Sequence, residues 1–250
     1  MEAYFDHLDE KQKEVINDLC EYTIKRTQLN PIIMLSIPTF KLTQEVMVAI
    51  DITKTYLGLY TTDQDVINEA RSLLETALFG NCTVKVDYRD KNNIKIIKMI
   101  IDQIVMKHMT FNIEYLIKSL DDEYEHFRDL AYQYLLEVQN ENELKHIDYR
   151  FFLTHEKKDY VSKGIGLLLN AVTIDEHRSY DSLLIDYFKV LDHPLISIVL
   201  EALEGLGCWI LYKPYLKQMI KTYLKTVSFS RFKPHQIDKI RVEIEKIKGI

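Results

Sequence analysis

One pattern of apolar residues recurs along the chain and constrains its fold more than any other feature. Counted from Phe127, a small residue follows at offset four and apolar residues follow at offsets eight and eleven. This spacing places all of them on one face of a helix. The same offsets recur from Val66, Tyr160 and Leu195, although Val199 replaces the small residue in the last copy. The starting points at 127, 160 and 195 are 33 and 35 residues apart, which is typical of two-helix repeats.

The composition also favours helices. Only 7 glycines and 5 prolines occur in 250 residues, which are few for the tight turns of a β-sandwich or barrel. We therefore predict an all-α protein. Its three cysteines are far apart and odd in number, so neither a disulfide framework nor a thiolate metal site is indicated. The acidic amino terminus does not resemble a secretory signal, and no apolar run approaches a membrane span, so we expect a cytoplasmic location and no membrane partner.

The repeated segments resemble the HEAT-repeat family. The run from Phe127 to Ala131 matches the second helix of that repeat, and the run from Ala202 to Gly207 matches its usual ending. The resemblance implies a right-handed α-solenoid of stacked antiparallel helix pairs. An irregular helical bundle is the alternative. The copy near Ile94 departs most, because Lys98 stands where the small residue belongs, and the number of repeats between residues 66 and 127 stays open.

We predict a single domain over residues 1–250. Within it, residues 1–41 form an amino-terminal cap that includes an apolar strap interrupted by Pro31 and Pro38. Residues 42–210 hold the repeats, and residues 211–250 form basic cap helices.

Charge is divided unevenly along the chain. Residues 211–250 carry ten lysines and arginines against three acidic residues, a net charge of +7, within a chain whose net charge is −6. The rest of the chain therefore carries −13. The basic residues form a candidate ridge for a nucleic-acid backbone: Lys213, Lys217, Lys221, Lys225, Arg231 and Lys233. The alternative is a solvated cap, because terminal repeats need a polar outer face.

An acidic turn offers a candidate surface for a basic protein. Asp121, Asp122 and Glu125 lie close together in sequence. They lack the glycine and ligand spacing of an EF-hand loop, so a solvated turn or a basic protein partner is favoured over a cation site.

The sequence shows no recognisable catalytic or cofactor motif. No metal-binding histidine pair, phosphate loop or nucleophile elbow is present, so we predict neither a cofactor nor an enzyme. Some DNA glycosylases are built from HEAT-like repeats around a basic groove that contains tryptophan. Here the single tryptophan, Trp209, lies in an apolar segment and the central repeats are acidic, so that activity is not favoured.

We therefore expect a non-catalytic module that binds a protein partner. The second helix of each pair would line a concave face, with Arg128, Tyr132, Lys163 and Glu201 as its candidate contacts. One alternative is an inhibitor or immunity protein that neutralises a basic toxin or nuclease through its acidic middle. Another is nucleic-acid binding through the basic ridge. The sequence leaves oligomeric state open.

Overall fold

The computed structural model describes residues 2–74, 76–109, 111–140 and 147–250. They form two compact units. Unit 1 contains residues 1–115 and 121–131, and unit 2 contains residues 116–120 and 132–250.

Unit 1 is built around an antiparallel sheet and two long helices. Its strands are β1 (Ile32–Met34), β2 (Ile37–Lys41), β3 (Met47–Ile52), β4 (Leu57–Thr61), β5 (Leu78–Phe79) and β6 (Thr83–Val86). The strand order is β1-β2-β3-β4-β6-β5, so β1 and β5 are the edges. Its helices are α1 (Glu2–Phe5), α2 (Glu10–Thr27), α3 (Gln64–Ala70) and α4 (Lys91–His108). Helices α5 (Ile113–Ser119) and α6 (Glu125–Asn140) contribute residues to both units.

The core of unit 1 lies between the sheet and helices α2 and α4. Alternate residues of β3, namely Val48, Ile50 and Ile52, are buried together with apolar residues of both helices. This period of two is the signature of a strand with one face on a core. Aspartates start the helices: Asp9 forms a capping box at α2, and Asp90 caps α4.

The six-stranded sheet shows that the all-α prediction is wrong, and with it both the HEAT-like solenoid and the irregular helical bundle. The apolar strap at residues 31–40 is mostly the hairpin of β1 and β2. The helical offsets from Val66 were misleading because α3 ends at Ala70, and Leu74 is buried from an irregular position after the turn at residues 71–73. Few glycines did not exclude a sheet, because Leu35 and Ser36 themselves adopt the positive φ of the β1–β2 turn.

Unit 2 consists mainly of three helix pairs. They are α7 (Tyr149–Leu153) with α8 (Lys158–Ile174), α9 (Leu184–Lys189) with α10 (Ile196–Tyr212), and α11 (Lys217–Thr226) with α12 (Pro234–Gly249). Helix α10 packs against both α8 and α12. Three pairs of this kind do not establish a solenoid.

Glycines allow the closest contacts in unit 2. A Cβ at Gly164 of α8 would lie 2.3 Å from Cβ of Phe152, and one at Gly205 of α10 would lie 2.0 Å from the hydroxyl of Tyr187. Both distances are far inside van der Waals contact, so only glycine fits without a shift of the Phe152 backbone at the first position or of the Tyr187 side chain at the second. The small residue at offset four from Tyr160 therefore has the packing role that its sequence position suggests.

Within the described ranges, no helix is both long enough and apolar enough to cross a bilayer.

Candidate functional site

An apolar groove lies on unit 2 between α9 and α11. It has a volume of about 600 Å³. Its lining consists of Ile185, Phe188 and Lys189 from α9 and of Gln218, Met219, Thr222, Tyr223 and Thr226 from α11. A groove of this size with mostly apolar walls is suited to bind a ligand or a peptide side chain.

The floor and walls of the groove differ in exposure. Phe188 and Tyr223 are stacked with ring centroids 4.0 Å apart and planes 5° apart, which gives the groove a rigid aromatic floor. On the walls, the side chains of Ile185 and Met219 are 62% and 49% exposed. Large aliphatic groups so open to water, facing one groove, mark a surface whose burial by a partner would be favourable.

The sequence of α11 explains why one side of the groove is apolar. Ile220 and Leu224 are buried and hold the helix on unit 2. Met219 and Tyr223 have the same spacing of four residues but form a second apolar stripe, which is left for the groove. A helix with two apolar stripes has more apolar surface than its own unit covers.

The charge around the groove is mainly positive. Helix α11 carries three lysines, at positions 217, 221 and 225, and no acidic residue. On the other side, Lys189 pairs with Asp186 at 2.7 Å, and Asp186 also accepts a hydrogen bond from Arg150 at 2.8 Å. The single carboxylate of α9 is thus neutralised within unit 2, and the group of Arg150, Asp186 and Lys189 keeps one net positive charge at the groove.

Several residues of the predicted basic ridge have structural partners. Lys213 is buried and pairs with Asp175 at 3.0 Å. Lys217 and Lys221 donate hydrogen bonds to the carbonyls of Ile250 and Lys248, at the end of α12. Cations at this position satisfy the open carbonyls of a helix end.

The remaining three members of the ridge differ from one another in their structural contacts. Arg231 donates to the carbonyls of Leu191 and His193. Lys225 is exposed, and Lys233 lies directly before the first turn of α12. The structure therefore does not present the six side chains as one free row of cations.

Three of the four predicted concave-face residues lie together on unit 2. The ammonium of Lys163 is 5.5 Å from the ring centroid of Tyr132. Glu201 accepts a hydrogen bond of 2.7 Å from Ser162. Burial and the nearby charge of Glu201 raise the pKa of the Tyr132 hydroxyl. These residues form a small polar cluster on α6, α8 and α10.

The acidic turn and Arg128 belong to unit 1. The carboxylate of Asp122 accepts hydrogen bonds of 2.6 and 2.9 Å from the guanidinium of Arg26. Burial raises the pKa of this carboxyl, but the bonds from Arg26 outweigh that effect and lower it. Arg128 donates to the carbonyl of Asp122 at 2.7 Å. Asp121 and Glu125 are exposed on the same turn.

A network of buried charge in unit 1 is centred on Asp102. Its carboxylate is fully buried and accepts hydrogen bonds from the hydroxyl of Tyr22 at 2.5 Å, from Nε of Arg26 at 2.9 Å and from Nε2 of His126. An adjacent cleft of about 500 Å³ is bordered by His126 and Arg128. The network joins residues of α2, α4 and the start of α6. Its donors bind the carboxylate of Asp102 and so are satisfied within the network.

In the portion of the chain that the structure covers, no group of three histidine, cysteine or acidic side chains is arranged to hold a metal ion. Trp209 is fully buried and lies in the core of unit 2 rather than in a groove.

Sequence reasoning missed the groove residues Ile185, Phe188, Met219 and Tyr223. The second apolar stripe of α11 was a usable signal, but the lysines of the same helix have the same four-residue spacing and obscure it. The contribution of α9 carried no such signal, because the exposure of Ile185 depends on how α9 and α11 pack.

Comparisons with protein-family models, with curated proteins and with solved structures found no match to this chain. The resemblance to HEAT repeats stays a prediction from the sequence pattern.

Proposed function

We propose that this protein is a non-catalytic interaction module that binds an acidic amphipathic helix of a partner protein in the α9–α11 groove. The observation that carries the proposal is the groove itself, with its aromatic floor and its exposed walls at Ile185 and Met219. Amphipathic helices bind such grooves through apolar residues at spacings of three, four and seven.

The charge of α11 indicates the kind of helix. Lys189 lies in the groove lining and, with Arg150 and Asp186, leaves one net positive charge there, while Lys225 is exposed on α11. This charge favours a partner with glutamate or aspartate beside its apolar stripe and disfavours a basic helix. Helix α11 has ten residues and is therefore about 15 Å long, so a partner segment of about ten residues would span the groove.

The other candidate functions have less support. Nucleic-acid binding would need a free row of cations, whereas Lys213, Lys217 and Lys221 hold other parts of unit 2. Neutralisation of a basic toxin would use the acidic turn, where Asp122 already pairs with Arg26. A cytoplasmic location remains part of the proposal and is supported by the three free cysteines.

The test is a binding titration with designed helical peptides of about ten residues. One peptide carries leucines at spacings of three and four with glutamates elsewhere, and a second replaces every glutamate with lysine. We expect the fluorescence anisotropy of the labelled acidic peptide to rise and saturate. The basic peptide should bind at least tenfold more weakly, since its lysines are repelled by the positive charge beside the groove. The proposal is contradicted if both peptides bind with equal affinity or if neither peptide binds.

Variants locate the binding. Ile185→Glu and Met219→Glu each place a carboxylate on a wall of the groove and remove an apolar contact worth about 2 kcal/mol, so affinity should fall about thirtyfold. Val242→Glu is the matched control, because Val242 is an equally exposed aliphatic residue on α12 outside the groove lining. An identical loss in all three variants would show that the peptide binds elsewhere.

A further inference from the structure

A second exposed apolar feature lies on unit 1, in the hairpin of β1 and β2. Residues 27–40 contain no charged side chain, although 28% of the whole chain is charged. Within this segment Ile32, Ile33 and Leu35 are exposed, and Leu35 is 94% accessible to water. An apolar segment without charge is normally found in a core, so its exposure at a sheet edge needs a reason.

The hairpin leaves part of its backbone open. Among the residues that the structure describes, strand β1 pairs with β2 alone, with Met34 opposite Ile37 and Ile33 opposite Pro38. In an antiparallel hairpin with a two-residue turn, Met34 and Ile32 direct their N–H and C=O groups to β2. The N–H and C=O of Ile33 therefore lie on the open edge, where another strand could pair with them.

The turn of the hairpin holds an unfavourable conformation. Leu35 and Ser36 have φ values of 51° and 66°, a region that glycine and asparagine adopt far more readily than leucine. Natural hairpins place Asn-Gly in such turns. Leu35 is both strained and almost wholly exposed, so its side chain does not stabilise unit 1. Strain that is kept without such a benefit points to a functional surface.

We propose that β1 pairs antiparallel with β1 of a second copy of this protein. Ile33 of each copy would exchange N–H and C=O hydrogen bonds with Ile33 of the other, and the two six-stranded sheets would join edge to edge. Ile32, Met34 and Leu35 would be covered in the same step.

A second copy fits this edge better than a charged partner. The segment from residue 27 to residue 40 offers no charge for an acidic or basic protein to recognise, and two copies meeting there suffer no like-charge repulsion. The same residues supply both halves of the contact, so the association closes at two chains. The proposal is independent of the groove on unit 2.

The test is sedimentation velocity of the full chain from about 1 to 100 μM, with circular dichroism of each variant. We expect a monomer–dimer equilibrium for the wild type. Ile33→Lys places a charge on the open edge, and Ile33→Pro keeps an apolar side chain but removes the outward N–H. Each should weaken dimerisation at least tenfold. Leu78→Lys, on the opposite edge strand β5, is the matched control and should leave the dimer intact.

Leu35→Gly separates the interface from folding. Glycine accepts the positive φ, so the thermal midpoint should rise or stay the same while dimerisation weakens. A wild-type monomer at 100 μM would overturn the proposal, even if an unrelated extended peptide added to the edge. Loss of the dimer in Leu78→Lys, or a dimer retained in both Ile33 variants, would likewise overturn it.

Discussion

Units 1 and 2 bury their cores by different means. Unit 1 places Arg26 and Asp102 in its interior, 2% and 0% exposed, and joins them at 2.9 Å. Unit 2 also buries an ion pair, Lys213 with Asp175, but it differs from unit 1 in the close approach of α7 to α8 at Gly164 and of the Tyr187 side chain to α10 at Gly205. A buried ion pair is sensitive to the loss of either partner, whereas close packing is sensitive to added volume. The two units should therefore fail under different substitutions.

Charged side chains also have different structural roles in the two units. In unit 1, the buried network fixes the turn at residues 121–131 against α2 and α4 through Asp122 and His126. In unit 2, two lysines of the basic segment, Lys217 and Lys221, bind the carbonyls at the end of α12. Charge in a sequence can thus serve the interior or the ends of helices before it serves a partner.

The largest effect is expected from Asp102→Ala. This change removes one of the two carboxylates that pair with the buried guanidinium of Arg26, and it removes the acceptor of Tyr22, which should cost about 3–5 kcal/mol of unfolding free energy. Hydrogen exchange followed by mass spectrometry should show lost protection in α2 and α4.

Asp18→Asn is the matched control for the buried ion pair. Asp18 accepts from Lys98 at 2.9 Å, but its side chain is 50% exposed, so the cost should be at most about 1 kcal/mol. Equal effects of the two changes would mean that burial does not set the cost of losing a carboxylate in unit 1.

A smaller, pH-dependent effect is expected from Asp63, which caps α3. Burial raises the pKa of its carboxyl, but hydrogen bonds from His108 at 2.5 Å and from Lys107 outweigh it and lower the pKa to about 2. Because the folded pKa lies below the unfolded value of 3.8, the stabilisation is complete above pH 4. It should fall by about 2 kcal/mol as the pH drops from 4 through 2.

Chemical denaturation at pH 5, 4, 3 and 2 measures this loss. In Asp63→Asn, the part of the unfolding free energy that depends on this carboxylate should no longer change over that range. Glu69→Gln, at an exposed position on the same helix, should keep the pH dependence of the wild type. Parallel curves for wild type and Asp63→Asn would show that this carboxylate does not supply the pH dependence.

The smallest effect is expected from Gly164→Ala in unit 2. The added Cβ would meet Phe152 at 2.3 Å, and overpacking of about 1–3 kcal/mol would be offset by about 1 kcal/mol of gained helix propensity. Denaturation followed by the fluorescence of Trp209, which is buried in this unit, reports the change.

Gly249→Ala provides the comparison, because no atom of the described residues beyond its own helix backbone and chain neighbours lies within 4 Å of its Cβ position. It should be neutral or stabilising. A Gly164→Ala protein as stable as Gly249→Ala would remove close packing as the distinguishing feature of unit 2.

The sequence predicted helices in unit 2 because its packing follows a local period. The offsets from Tyr160 place Gly164, Leu168 and Ala171 in the buried face of α8, as an amphipathic helix requires. The same offsets failed at Val66, since the segment lies between β4 and β6, which pair with each other in the sheet, and α3 ends at Ala70. Sheet pairing depends on contacts that helical offsets do not report.

The candidate site was only partly predictable for the same reason. The lysines of α11 could be read from their spacing, but their bonds to the end of α12 depend on tertiary packing. The apolar stripe of Met219 and Tyr223 was present in the sequence, whereas its junction with Ile185 and Phe188 was not.

The most direct test of the account uses the methyl groups of the seven methionines, labelled with ¹³C and observed by NMR. Met219 is the methionine that lines the groove. Titration with the acidic amphipathic peptide should shift the Met219 methyl signal in a saturable manner and leave the other six unchanged, and the lysine peptide should shift none. An unmoved Met219 signal, or equal shifts with both peptides, would contradict the claim that this groove binds an acidic helix.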